Sequence, residues 1–487
     1  MTQKVHRNLQ HNYAMMKEHF RHNSNVVFRQ FQVARKAAFL VQIAGFVDKS
    51  MLAQSVISRL SDHMGSVTEE SILNTIAVPS VETTTEIRAV VQKVLEAQSV
   101  LFVDGITVAF TLDVSASEQR NVDEPENEAV IRGPHTGFVE NLTVNLSWIF
   151  RYLPNPNLRV ENYRLGTENK ITCVLVYLEG TAHSGIISLV KARLDEIEVD
   201  AILGCAYVAQ LIQDHPNNIF PTIRHTERPD VVVANLLEGR VAILTQGCPT
   251  SLILPHLFLD NFQSVEDYHS ERYFSSSMRI LRLMAFLVAT QLPGLYVSIE
   301  NFHKELIPSN LLISIAGTRE GVPFPLGLEV FIMLLAFELI KESGMRMPKP
   351  IASTVSIVGG LILGQAAVDS GLIGIPTVIT VAVAGMSGFL AGPLSQPVFL
   401  IRLLSLIPSS FVGLYGLILF DLMILLNLSS ITSFGVPYMV PLVPTYFPDW
   451  KDTFIRKSTK KLHTTSKKRR HNIGRYFEEE YNPKTNH

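Results

Sequence analysis

The sequence predicts a mixed protein: a cytoplasmic α/β N-terminal domain of two subdomains, an α-helical multi-span membrane domain, and a basic tail. Three observations predict it. Hydrophobic residues make up 47% of the 487 positions and charged residues only 18%, with a mean hydropathy of +0.22. Ordinary soluble domains carry about a quarter charged residues. Residues 351–431 contain three charged side chains, Asp369, Arg402 and Asp421. The charge is also partitioned: the net is −8 over residues 1–277, −1 over 278–450 and +7 over 451–487. An acidic main domain repels phosphate, which disfavours nucleic-acid binding as its function.

The expected divisions are 1–125 and 130–275 for the two α/β subdomains, 278–431 for the membrane helices, and 432–487 for an interfacial segment and tail. The N-terminus has no apolar run behind Met1-Thr-Gln-Lys-Val-His-Arg, so no cleaved signal peptide is expected. His6, His11, His19 and His22 read as part of a solvated N-terminal helix. Ser99–Val103 and Ile106–Leu112 are apolar runs around Asp104-Gly105, a hairpin signal. The polar stretch 113–129 reads as a linker. Gly137–Leu153 has helical periodicity. Leu158–Leu165 and Ile171–Leu178 form a second strand pair. Residues 184–198 and 205–214 read as helices, and Arg240–Leu244 and Ser251–Leu254 as short strands. No repeat of fixed period is apparent. Cys173, Cys205 and Cys248 read as separate buried thiols, not a disulfide framework.

A spanning helix needs about 20 mostly apolar residues. Leu281–Ile299, Phe324–Ile340, Ile351–Val368 and Leu372–Leu390 qualify. Val398–Ile431 is too long for one span, and Pro408 is the expected break. Lys341, Arg346 and Lys349 place the loop after the second span in the cytoplasm, and the Lys/Arg-rich tail follows it there. Counting back, the N-terminal domain is cytoplasmic too. Trp450, Tyr446 and Phe447 are expected at the inner interface.

No phosphate loop, HExxH, CxxC or GxSxG is present, so nothing points to an enzyme, a metal or a cofactor. The acidic run Asp195, Glu196, Glu198 and Asp200 reads as a solvated helix end. In the third span Ser353, Ser356, Gly360, Gly364, Ala367 and Gly371 recur at steps of three and four, within an arc of about 80° on one helix face. Such a stripe lines a narrow water path or packs helices, and Gly360–Gly364 is a literal GxxxG. The intramembrane charges Glu329, Glu338, Arg402 and Asp421 are costly and therefore functional or paired. Glu329 is expected near the outer end, Glu338 beside Lys341, and Arg402 opposite Asp421.

Longer motifs carry a resemblance. Arg132-Gly-Pro-His-Thr-Gly-Phe-Val-Glu140, Glu238-Gly-Arg-Val-Ala-Ile-Leu244 with Gly247-Cys-Pro249, and Asp267-Tyr268 come first. Arg279-Ile-Leu-Arg282, Leu292-Pro-Gly-Leu-Tyr296, Arg319-Glu320, Val322-Pro-Phe-Pro325 and Gly364-Gln-Ala-Ala367 follow in order. Over roughly residues 130–450 the chain resembles the A subunits of GerA-type spore germinant receptors. It departs at Gln246-Gly-Cys248, where the family usually has Asp-Gly-Thr. The resemblance implies a multi-pass protein of the spore inner membrane. It implies a transporter-like B subunit that takes the nutrient, a lipoprotein C subunit, and homo-oligomers that conduct ions. Arg132, Gly133, Pro134 and Gly137 are expected to form a turn into a helix carrying Glu140, either as an interface with a neighbour or as a purely local turn.

Overall fold

The computed structural model describes residues 3–21, 23–62, 65–114, 125, 128, 130–348, 359–360, 362, 364–445, 453–456 and 473–477. The linker read over 113–129, Ser353, Ser356 and the interfacial aromatics 446, 447 and 450 lie largely or wholly outside them.

Helix α1 (Leu9–His19) precedes a five-stranded sheet of β1 (Val26–Val33), β2 (Lys36–Ile43), β3 (Val81–Thr84), β4 (Ser99–Val103) and β5 (Ala109–Leu112), in the order β1-β2-β4-β5-β3. Every neighbouring pair is antiparallel. Helix α2 (Ile87–Leu95) covers it, burying Ile87, Val90, Val91, Val94 and Leu95. That three-and-four spacing makes one apolar stripe.

Helix α3 (Leu142–Tyr152) precedes a second sheet of β6 (Leu158–Leu165), β7 (Ile171–Leu178), β8 (Arg224–Thr226), β9 (Val241–Thr245) and β10 (Ser251–Leu254). Its order is β6-β7-β9-β10-β8, again all antiparallel. Helices α4 (Ser184–Asp195), α5 (Cys205–Ile212) and α6 (Pro229–Leu237) complete it. The two sheets share one topology, so the N-terminal region is a structural duplication that the sequence did not announce.

The correspondence is residue by residue. Asn8 caps α1 by accepting from the N–H groups of Gln10 and His11, and Asn12 exchanges two bonds with the His6 backbone. Asn141 caps α3 in the same way through Thr143 and Val144, and Asn145 exchanges two bonds with Val139. The Val5 N–H donates to Thr85 O as that of Phe138 donates to Glu227 O, and Gly105 donates to Arg7 O as Gly247 donates to Glu140 O. Gly105 and Gly247 both hold left-handed φ, +84° and +79°. In the first half Asp104 Oδ1 accepts from the Leu9 N–H at 3.2 Å, tying the hairpin to the start of α1. Gln246 stands at the matching position in the second half.

The halves share a core. Ser24 donates to Val160 O at 2.9 Å, the Phe46 and Phe150 rings meet edge-on at 6.2 Å, and Gly45 presses on Thr143 so closely that a Cβ would lie 2.2 Å from its methyl.

The helical region comprises α7 (Arg272–Phe302), short α8 (Ser309–Arg319), α9 (Leu326–Arg346), α10 (Ile375–Leu390), α11 (Ser395–Val412) and α12 (Leu414–Ser430). Among the described residues, two helical stretches, Arg272–Phe302 and Gly392–Val412, are long and apolar enough to cross a membrane; α10 and α12 are shorter but also apolar. The break in 398–431 falls at Gly413, not Pro408. Gly413 takes φ +69° and abuts Phe302, ending α11, whereas Pro408 stays inside that helix. An internal proline removes one helical hydrogen bond; the left-handed glycine reverses the chain.

Beyond α12 the chain returns to the second sheet. A two-strand hairpin, Thr432–Ser433 with Val436–Pro437, buries Phe434 and Tyr438. Ser433 Oγ donates to Thr222 O at 2.7 Å, Tyr438 OH donates to Pro221 O at 2.9 Å, and Asp214 accepts from the Phe434 N–H while pairing with Arg193. Phe477 closes over Gly185 and Gly435.

Candidate functional site

The helical region buries polar and charged side chains beside apolar clusters and exposes large apolar side chains. Glu329, Thr377, Arg402, Ser405, Ser409, Ser298 and Glu300 are buried, while Leu281, Met284, Ile379, Met386, Ile407, Ile418 and Leu422 are exposed. The charges form two clusters along α9, one at its first turn and one past its middle.

The first cluster joins four elements. Arg319, the last residue of α8, reaches Glu300 near the end of α7 with Nη1 and Glu329 in the first turn of α9 with Nη2, the latter at 3.3 Å. Glu329 Oε1 accepts from the Gly374 N–H, the N-cap of α10, at 2.8 Å. Glycine is needed there, since a Cβ would lie 3.0 Å from Arg319 Cγ and 3.4 Å from Glu329 Oε1. Both Glu329 oxygens are therefore engaged, by a guanidinium and a helix N-terminus. Tyr296 and Glu300 are one turn apart on α7, and the Tyr296 hydroxyl lies beside Thr377 and Glu300.

The second cluster is Glu338 with Lys341 at 2.9 Å and Arg402 at 3.5 Å, beside a cavity of about 30 Å³ lined by Phe337, Gly385, Gly388 and Ser395. Arg402 thus turns to Glu338 rather than to Asp421. Asp421 instead accepts from the Gln291 amide at 2.8 Å. The two residues sit at unequal distances from the Gly413 turn, so the α11–α12 hairpin does not align them.

Of the described members of the small-residue stripe, Gly360 and Gly371 are exposed and Gly364 is half-buried. A Cβ on Gly360 or Gly371 would meet nothing within 4 Å, and one on Gly364 only Val378 at 3.9 Å. Ala367 is half-buried. Gly371, with φ +68°, lies beyond the helix end, where its N–H bonds Val368 O, so it belongs to the turn and not to the helical face.

Where the N-terminal domain meets α7, the motif residues converge. Asp267 is buried and accepts from Arg279 Nε at 3.1 Å, Arg282 Nη1 and Nη2 at 2.9 Å, and the Ser264 N–H at 3.1 Å. Arg456 donates to the Tyr268 and Ser270 carbonyls, and Arg272 Nε donates to Arg456 O at 2.7 Å. Gly133, at φ +134°, lies against His269: a Cβ would be 3.0 Å from its ring. Pro134 O accepts from Arg228 Nη2 at 2.9 Å, Gly137 is buried, and Arg132 and Glu140 are exposed. The turn 132–137 therefore packs on its own chain. Glu140 is not on a helix; α3 starts at Leu142 because Asn141 caps it.

Nearby, Arg240 Nη1 holds Asp260 at 2.6 Å and Pro255 O at 3.2 Å. Burial alone would raise the Asp260 carboxyl. The Arg240 charge and the bonds from His256 and Arg240 hold it well below the usual carboxylate range.

Cys205 and Cys248, expected to be separate, meet. The Cys205 thiol donates to Cys248, as do the N–H groups of Cys205 and Thr250, and these pull the Cys248 thiol down against the effect of burial. Cys173 is fully buried, and burial pushes its thiol up to about 12. We expect Cys248 to be the first cysteine alkylated by iodoacetamide in the folded protein. Its rate should fall less steeply from pH 8 to 6 than that of an ordinary thiol, which slows roughly tenfold per pH unit. Mass-spectrometric site mapping checks this; faster labelling of Cys173 would contradict it.

Glu300, Arg319, Tyr296 and Thr377 were not legible as one site in the sequence. Their signal was present: Arg319 and Tyr296 stand in the motifs, but nothing local pairs them.

The model of the "Bacillus/Clostridium GerA spore germination protein" family matches residues 14–468. "Spore germination protein KA" of Bacillus subtilis (strain 168) is 39% identical over 460 residues, covering 91% of this chain and 84% of that protein. "Spore germination protein GerLA" of Bacillus cereus is 36% identical over 428 residues, 86% of each chain. The "Uncharacterized membrane protein YfkQ" of B. subtilis is 35% identical, covering 89% of this chain and 86% of that one. Among solved structures, the N-terminal domain of the A subunit of the Bacillus megaterium germinant receptor GerK3 covers 53% of this chain and 98% of its own, with 29% identity and a TM-score of 0.42. With a family model spanning nearly the whole length and relatives above 30% identity across most of it, this chain belongs to the GerA family of spore germination proteins.

Proposed function

We propose that the chain is the membrane subunit of a nutrient-sensing receptor in the spore inner membrane, and that copies of it assemble into an ion-conducting channel. Nutrient binding to a transporter-like B subunit opens it, with a lipoprotein C subunit as the third partner. The observation that carries the membrane reading is the inverted helical region, with charges buried and large apolar side chains facing out among lipid tails. Gly413 against Phe302 and Gly374 beside Glu329 mark one end of the bundle; Leu394 and Leu428 packed with Phe258 and Phe262 mark the end nearest the cytoplasmic domain. Six crossings follow if the helix ending at 369 spans too. Residues 1–271 and the tail then share the cytoplasmic side. Exposed Arg132 and Glu140 are the contact points we assign to a neighbour or partner.

The open space beside Gly360 and Gly364 supports an inter-subunit role, because close helix approach or a narrow water path both need that surface bare. Gly364→Leu separates the two. For a pore we expect a complex of normal abundance in spores with cation release reduced at least tenfold. Loss of the assembled complex instead would mean the stripe packs helices and the chain serves as a scaffold. Normal abundance with normal release would remove this helix from the pore.

A further inference from the structure

We propose that Glu300, Tyr296 and Thr377 form a binding site for one monovalent alkali cation, beside the Arg319–Glu329 pair. The inference rests on the reading that these helices lie in the membrane, but not on whether the chain conducts.

Charge is the first argument. The cluster holds two carboxylates, Glu300 and Glu329, against one guanidinium, Arg319. Glu329 is fully buried and both its oxygens are taken, by Arg319 and by the Gly374 N–H. Glu300 is 5% exposed, and only its Oε1 meets Arg319. One negative charge is left over in a region of low dielectric, where an uncompensated ion is strongly disfavoured.

Unused oxygens are the second argument. Glu300 Oε2, the Tyr296 hydroxyl and the Thr377 hydroxyl are all buried, and none completes a hydrogen bond. Thr377 has no exposed surface at all. The Tyr296 hydroxyl lies close to both of the others. Buried polar atoms without partners are rare, and each calls for a ligand or a role. Here the atoms are one anionic and two neutral oxygens, a hard donor set. Calcium takes six to eight oxygens, usually with several carboxylates. A single free carboxylate oxygen matches a single positive charge, so Na⁺ or K⁺ fits and a divalent ion does not.

The test uses the purified full chain in detergent. Its thermal midpoint is measured in KCl, NaCl and choline chloride at matched ionic strength. Binding to the folded state alone should raise the midpoint by roughly 1 °C per tenfold increase in the bound cation, and choline should have no effect. Glu300→Gln removes the charge and should abolish the dependence on cation identity. Thr377→Val keeps the charge and should shift the dependence to higher concentration, which decides the matter if Glu300→Gln does not fold. Equal midpoints in all three salts would overturn the proposal. So would a midpoint that follows pH and not the cation, which would assign a proton to Glu300, or a cation effect untouched by Thr377→Val and Glu300→Gln. Cation release from spores is scored separately: failure there with an intact midpoint shift would remove the channel reading and leave this site standing.

Discussion

Arg319→Gln will take from two buried carboxylates the guanidinium they share and will cost about 3–5 kcal/mol, the usual price of breaking a buried ion pair from one side. Glu329 has no exposed surface and Glu300 has 5%, so neither can turn to water. The Gly374 N–H still supports Glu329, but a helix N-terminus supplies only about half a charge. We expect the variant to accumulate at a small fraction of the wild-type level in membranes. Arg319→Lys keeps the charge but loses the two-pronged reach to Glu300 and Glu329, so it should fall in between. Wild-type accumulation and an unchanged melting midpoint for Arg319→Gln would show that the triad does not hold α7, α9 and α10 together.

Asp267→Asn will act at the other end of α7 and with similar size. Arg279 is 2% exposed and Arg282 is half-buried; both lean on the one carboxylate. Removing its charge takes the carboxylate from buried Arg279 and leaves it the Tyr268 ring, at a cost of about 3 kcal/mol. The loss is local, between the 3₁₀ turn Phe258–Phe262 and the start of α7. The expected readout is rapid proteolytic cleavage between residues 262 and 272, with the two sheets still intact as fragments. Asp267→Glu should restore part of the protection. Resistance equal to wild type would mean that Arg456 and Ser275, which also bind this segment, suffice to hold it.

Much of the fold was legible because its signals are local. Leu158–Leu165 and Ile171–Leu178 pair over the residues that their apolar runs mark, and Asp104-Gly105 makes the turn its residue types require. The β1–β2 hairpin carries no such signal: its turn is Ala34-Arg35, both with positive φ and neither a glycine. The duplication was also hard to read. The ungapped stretches 85–112 and 227–254 agree at only six of 28 positions, while Asn8-Leu9 with Asn12 and Asn141-Leu142 with Asn145 repeat as NLxxN. Topology survives such divergence because each position asks only for burial and a backbone angle, which many residues satisfy.

The sequence by itself determined the order of the parts, the apolar segments, most strands and the family, because run length, alternation and motif spacing depend on neighbours along the chain. Only the tertiary structure decided which charge meets which. Arg319 reaches Glu300 and Glu329, Arg402 takes Glu338 and leaves Asp421 to Gln291, and Cys205 meets Cys248. A buried charge must find a partner, but which partner depends on how helices distant in sequence cross and how far each residue stands from the turn between them. Burial makes pairing compulsory, and packing geometry chooses the pair.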